Sequence, residues 1–187
     1  MLKRAFDITG AAAGLVVLSP VLLAIAIAVR LETPGPALHW SRRVGRGNRI
    51  FGMPKFRTMR IDAPDVATHL LPDPQRWVTP LGRFLRRTSL DELPQLWSIL
   101  AGDMSFVGPR PALHNQDDLV ALRTEAGVAG LRPGLTGWAQ INGRDELPIP
   151  EKVKLDREYL ERMSFGFDLR IIAATALAAL SARGVSH

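Results

Sequence analysis

An apolar run over residues 8–29, interrupted near its middle by Ser19-Pro20, constrains this chain more than any other feature. At roughly 22 residues it reaches the ~20 needed to cross a hydrocarbon core of ~30 Å. Arg30-Leu31-Glu32 follows with no small-x-small cleavage pattern before it, which argues against a secretory signal peptide. Two features argue against a straight span. Pro20 deletes a backbone hydrogen bond and favours a kink, and Ser19 beside it can satisfy the freed carbonyl. Lys3 and Arg4 precede the run and Arg30, Arg42, Arg43, Arg46 and Arg49 follow it. Basic residues on both flanks disfavour placing either flank outside. Each arm of roughly 11 residues is ~16 Å long and enters about half of the hydrocarbon core. The expectation is a helix that dips in, bends at Ser19-Pro20 and returns to the same face. A plain spanning anchor is the alternative.

The 187 residues suffice for one domain with a real core, so residues 1–32 are read as the membrane helix and 33–187 as one catalytic unit. With 24 Lys+Arg against 18 Asp+Glu the net charge is +6, which suits an anionic partner. Cysteine is absent, which excludes disulfides, thiolate metal sites and Cys nucleophiles. His39, His69, His114 and His187 are scattered, so any metal is a hard ion on oxygen ligands, with magnesium the natural candidate. No finger or RNA-binding string is present, and a nucleic-acid partner would leave the apolar run unexplained.

Downstream, Thr33-Pro34-Gly35-Pro36 stops the first segment. Residues 37–60 read as a hairpin around Gly45-Arg46-Gly47-Asn48, and 61–80 as a polar surface excursion. Helices are expected over 88–100, 117–125 and 150–163, with an extended stretch over 135–144. The apolar helix over 169–180 is too short to span, and belongs either to the core or to the interface plane. The fold class is α+β, mostly helical, with a kinked N-terminal membrane helix, a small hairpin and amphipathic interfacial helices.

Asp91-Glu92 is the adjacent carboxylate pair that introduces an apolar helix. With Asp91 as N-cap, Pro94 falls in the first turn, where its missing N–H costs nothing; a capping box from Ser89 to Glu92 is the rival. A helix N-terminus favours anions, so Asp91 is either a simple cap or an ionised carboxylate able to attack phosphorus. Gly108-Pro109-Arg110-Pro111 holds one arginine between two prolines, suited to a phosphate clamp or to a rigid exposed turn. Lys55-Phe56-Arg57 sets two cations on one strand face, for a diphosphate or merely for solvent. Arg42, Arg43, Arg46 and Arg49 read as a lipid-headgroup patch. Gln140, Asn142 and Arg144 share a face of the expected extended stretch, as a nucleotide or sugar wall or as the polar side of a hairpin.

Taken together the strings resemble the monotopic phosphoglycosyl transferases, the bacterial sugar transferase family, in its minimal catalytic form. They are Lys3-Arg4-x-x-Asp7, Ser19-Pro20 and Lys55-Phe56-Arg57-Thr58-Met59, followed by Arg86-Arg87-Thr88-Ser89-Leu90-Asp91-Glu92-Leu93-Pro94-Gln95. Gly102-Asp103-Met104-Ser105-Phe106-Val107-Gly108-Pro109-Arg110-Pro111 and Pro133-Gly134-Leu135-Thr136-Gly137-Trp138 complete the set. The resemblance implies transfer of a sugar-1-phosphate from a UDP-sugar to polyprenyl (undecaprenyl) phosphate with release of UMP. That reaction is the first membrane step of exopolysaccharide, O-antigen or capsule assembly, at the cytoplasmic face of the bacterial inner membrane among its phospholipids. It implies a ping-pong scheme with Asp91 as nucleophile and Glu92 assisting, magnesium at both carboxylates, Arg110 seating the diphosphate and Lys55 and Arg57 lining the same anionic site. Arg87, Pro109, Pro111, Gln140 and Arg144 complete the expected substrate-binding set. Ser41 stands two residues before Arg43, where many relatives carry Gln. The best rival is a non-catalytic membrane-surface protein that binds anionic lipid, which gives no reason for Asp91-Glu92 or for Arg110 between prolines.

Overall fold

The computed structural model describes residues 2–64, 73–143 and 147–180. Helix α1 (Leu2–Val17) and helix α2 (Ser19–Glu32) meet at a 61° bend. The cause is local. Pro20 has no N–H for the Val16 carbonyl four residues back, and the Ser19 hydroxyl donates to that carbonyl instead at 2.8 Å. Among the described residues no single helix is long and apolar enough to cross a membrane; the bent pair taken together meets only the length and composition of one. The arms, 16 and 14 residues, extend beyond the apolar run because their bases are bonded into the rest of the protein.

The hairpin follows as expected: β1 (Leu38–Val44) pairs antiparallel with β2 (Ile50–Phe56), His39 opposite Lys55. A 3-10 turn over Arg46–Asn48 joins them, and Gly47 takes the positive φ of 63° that such a reversal requires. Short α3 (Pro74–Trp77) leads to α4 (Pro80–Thr88), whose first turn is capped by Thr79 Oγ1 accepting from the Gly82 amide at 2.9 Å. Gly82 is there because a Cβ would sit 2.1 Å from the Thr58 carbonyl oxygen.

The single helix expected over 88–100 is not formed. Ser89 takes a left-handed conformation (φ 56°) that ends α4, a 3-10 turn spans Leu90–Glu92, and α5 (Gln95–Ala101) begins only after Pro94. The proline explains the division. It cannot donate to the Leu90 carbonyl as a continuing helix requires, so the Leu93 amide takes that carbonyl in a tighter turn at 3.3 Å.

Strand β3 (Ser105–Val107) pairs in parallel with β4 (Gly134–Thr136), across helix α6 (Asp117–Glu125), which lies where the sequence places it. The expected extended stretch over 135–144 is corrected: beyond Thr136 the chain turns into α7 (Trp138–Ile141). The Trp138 indole N–H donates to Glu158 at 2.9 Å, a partner twenty residues away that residue alternation could not reveal. Helices α8 (Ile149–Arg162) and α9 (Phe165–Leu180) finish the described chain. The last buries Phe167 and Ile171 against Val107 and Tyr159 while Leu169 and Leu177 face outward.

Packing places the bent pair directly on the rest of the protein. Ala11 is fully buried with Met53, Leu96, Ile99 and Met104, and Gly14 lets Leu96 come close to the α1 backbone. Val29, near the end of α2, packs with Phe56 and Leu85.

Candidate active site

The break after α4 brings Asp91 and Glu92 against the end of β2. Asp91 is 8% exposed. Arg86, on the inner face of α4, lies within the reach of its charge. Burial pushes the Arg86 guanidinium down and the Asp91 carboxylate pulls it back. Arg86 is oriented by its Nε, which donates to Thr58 Oγ1 at 2.8 Å.

Glu92 is the hub. One carboxylate oxygen accepts from Lys55 Nζ at 3.2 Å and from Arg110 Nη2 at 3.0 Å, with Lys55 and Glu92 side chains each 18% exposed. Burial alone would push the Glu92 carboxyl up, but the charges of Arg110 and Lys55 outweigh it and hold it far below the usual carboxylate range. Burial pushes the Lys55 ammonium down, against the raising charges of Glu92 and Asp91. Glu92 is thus a firmly ionised anion between two cations.

The loop carrying Arg110 is pinned at four successive carbonyls. Pro109 O accepts from the Gly134 amide (2.9 Å), Arg110 O from Arg123 Nη1 (2.8 Å), Pro111 O from Arg43 Nη1 (3.1 Å) and Ala112 O from the Val44 amide (2.9 Å). Pro109 and Pro111 are buried and only the Arg110 side chain reaches forward. Ser41 Oγ accepts from Arg43 Nε at 3.0 Å, so the serine supplies a polar contact at this departure from the common pattern.

The remaining residues singled out from sequence go elsewhere. Arg57 follows the strand alternation of Lys55, yet its guanidinium grips the end of α2. It donates to Pro34 O (2.7 Å), Thr33 O (2.7 Å), Thr33 Oγ1 (2.8 Å) and Val29 O (3.4 Å). Arg87 is exposed on the outer face of α4, a helical turn beyond exposed Arg83. Helical periodicity carried the signal that was missed: Arg86 falls four residues after buried Gly82, and Arg87 four after Arg83. Gln140 sits on α7, its Nε2 donating to Leu135 O at 3.1 Å, so it shares no strand face with Asn142. Arg144 lies outside the described residues. Of the hairpin arginines, Arg43 turns inward to Pro111, while Arg46 and Arg49 line a cleft of ≈ 520 Å³ with Arg132 and Asp103.

Among the described residues no three acidic or histidine side chains gather into a metal cage. Two adjacent carboxylates are oxygen ligands of the kind magnesium takes together with substrate phosphates, although one Glu92 oxygen is already bonded to Lys55 and Arg110.

A carboxylate pair with two cations at its rim is an arrangement suited to handling phosphate groups. The sequence profile of the bacterial sugar transferase family matches residues 1–182, and the chain belongs to that family. It is 43% identical over 183 residues to the UDP-glucose:undecaprenyl-phosphate glucose-1-phosphate transferase of Escherichia coli (strain K12), covering 94% of this chain but 39% of that protein. It is 42% identical over 189 residues to the uncharacterized sugar transferase EpsL of Bacillus subtilis (strain 168), covering 100% of this chain and 91% of that one. The exopolysaccharide production protein ExoY of Rhizobium meliloti (strain 1021) is 37% identical over 98% of this chain and 88% of its own length.

Proposed function

We propose that this protein transfers a sugar-1-phosphate from a UDP-sugar to a polyprenyl phosphate, releasing UMP, with Asp91 as the covalent nucleophile. The observation that carries the reading is the buried Asp91 beside a Glu92 that holds Lys55 and Arg110 in place. The Escherichia coli relative's name describes the same reaction class. Lys55 and Arg110 receive the donor's diphosphate, and Asp91 attacks the β-phosphorus. The P–O bond to UMP breaks, and a phosphosugar remains on the carboxylate. The acceptor phosphate then attacks the same phosphorus and returns Asp91 free. Asp91, Glu92 and the donor phosphates would hold magnesium, which supplies charge neutralisation on the diphosphate when bound.

The bent pair enters the cytoplasmic leaflet of the bacterial inner membrane as a re-entrant segment, residues 1–32, and residues 33–187 form the catalytic unit on that face. The outward side chains Val16, Val17 and Leu23 near the bend are 62–73% exposed, a strongly apolar surface there. Phe84 of α4, Trp97 of α5 and Leu177 of α9 are exposed as well, and exposed aromatic and apolar side chains of this kind suit the headgroup level among phospholipids.

The decisive experiment mixes enzyme, UDP-sugar and magnesium without acceptor. About one UMP per active site is released and the protein gains the mass of a sugar phosphate, whereas Asp91→Asn shows neither. UMP release only upon addition of polyprenyl phosphate, with no adduct, would replace the covalent scheme by direct transfer. No UMP under any condition would leave a non-catalytic lipid-binding protein.

A further inference from the structure

Two buried charges, Arg123 and Asp156, do no chemistry in the scheme above. Arg123 on α6 is 8% exposed and Asp156 on α8 is 2% exposed. Arg123 Nε and Nη2 both donate to Asp156 Oδ2, at 2.9 and 2.6 Å. A buried pair of this kind is weak evidence for stability, because apolar residues of like volume often hold a fold equally well. Burial pushes the Asp156 carboxyl up despite Arg123 beside it, in keeping with a pair that is not optimised for stability.

What the pair does is visible at the third nitrogen. Arg123 Nη1 donates to the Arg110 main-chain oxygen at 2.8 Å. Prolines on both sides deprive this loop of two N–H groups and keep it from regular pairing, so its carbonyls need donors from outside. A guanidinium is the one side chain that can fork onto a carboxylate and still reach a carbonyl in a fixed plane.

We propose that Arg123, held by Asp156, is the positioning residue for Arg110. It locks the backbone from which the Arg110 guanidinium reaches the donor's diphosphate and so serves the first half-reaction selectively. This rests on the assignment of Arg110 to the donor.

The test compares wild type with Arg123→Met/Asp156→Leu, which replaces the pair by apolar volume, and with Arg123→Lys, which keeps a cation for Asp156 but gives up the fork. Three quantities are read: UDP affinity by titration calorimetry, the rate of the UMP burst, and the rate at which preformed adduct passes to polyprenyl phosphate. The expected result is a loss on the order of 10- to 100-fold in UDP affinity and burst rate, with the acceptor step near wild type. At least one of the two variants is expected to keep the wild-type thermal midpoint. Unchanged burst and affinity would overturn the proposal, as would equal losses in both half-reactions or a loss that appears only with unfolding. Arg110→Lys serves as the control: a silent Arg110 variant refutes the assignment of Arg110 to the donor, whereas a damaging one beside silent Arg123 variants refutes this inference alone.

Discussion

At Glu92 one carboxylate oxygen neutralises two cations, and removing it would leave Lys55 and Arg110 facing each other in a half-buried space. Its folded-state pKa is depressed, so its contribution to stability is present above the ordinary carboxylate value of about 4.3 and is lost as pH falls through the folded value. The thermal midpoint of wild-type protein is expected to decline below about pH 4. Glu92→Gln should cost roughly 3 kcal/mol at neutral pH and flatten part of that acid dependence. Thermal unfolding in detergent from pH 3 to pH 8 measures both, and superimposable profiles would show that the ion triad contributes nothing. Asp91, Glu92 and Arg110 were legible because each stands in a short string whose chemistry is local. Arg86 was hidden behind Arg87, since adjacent arginines differ only in which helical face they occupy. Gln140 was misplaced because its segment is helical, and residue alternation over so short a stretch does not separate a strand from a single helical turn.

Among the elements, the kink between α1 and α2 has the plainest physical origin. The Val16 carbonyl loses its donor at Pro20 and gains the Ser19 hydroxyl. Ser19→Leu with Pro20→Ala restores a main-chain N–H and should straighten residues 2–32. The chain has no cysteine, so spin labels at positions 9 and 31 can be introduced cleanly. Their separation is expected to grow by roughly 5 Å on loss of a bend near 61°. An unchanged distance would mean that packing of the arms, rather than the proline, holds the bend. The hairpin over 37–60 was legible from its Gly-rich turn. The division of 88–100 was only half legible: Pro94 marks where α5 can begin, but the end of α4 depends on Ser89 adopting a left-handed conformation that its residue type does not demand.

Across the whole molecule, the base of α1 is bonded to segments 95 to 165 residues away. Lys3 Nζ donates to Val107 O (2.9 Å), the Tyr159 hydroxyl (3.2 Å) and Asp168 Oδ2 (2.7 Å). Asp7, 2% exposed, accepts from Ser105 Oγ and the Phe106 amide, each at 3.0 Å. Arg4 donates to Ile99 O and Leu100 O at the end of α5. The Lys3-Arg4-x-x-Asp7 string is therefore a staple between the bent pair and the unit that bears Asp91. Asp7→Leu strands two donors and should cost about 3 kcal/mol, read as a lowered thermal midpoint and faster proteolysis in detergent. A wild-type midpoint would show that α1 is held by its apolar contacts alone.

The sequence by itself determined the local facts: a proline break in an apolar run, a glycine turn between strands, adjacent carboxylates, and an arginine fenced by prolines. Each follows from the covalent properties of a few neighbouring residues. Only the tertiary structure decided which cations meet Glu92, that Arg57 holds the end of α2 rather than joining Lys55, and that Arg123 and Asp156 stand behind Arg110. Those pairings join residues up to 37 positions apart. Their partners are chosen by how α4, α5, α6 and the hairpin pack, which no local spacing encodes.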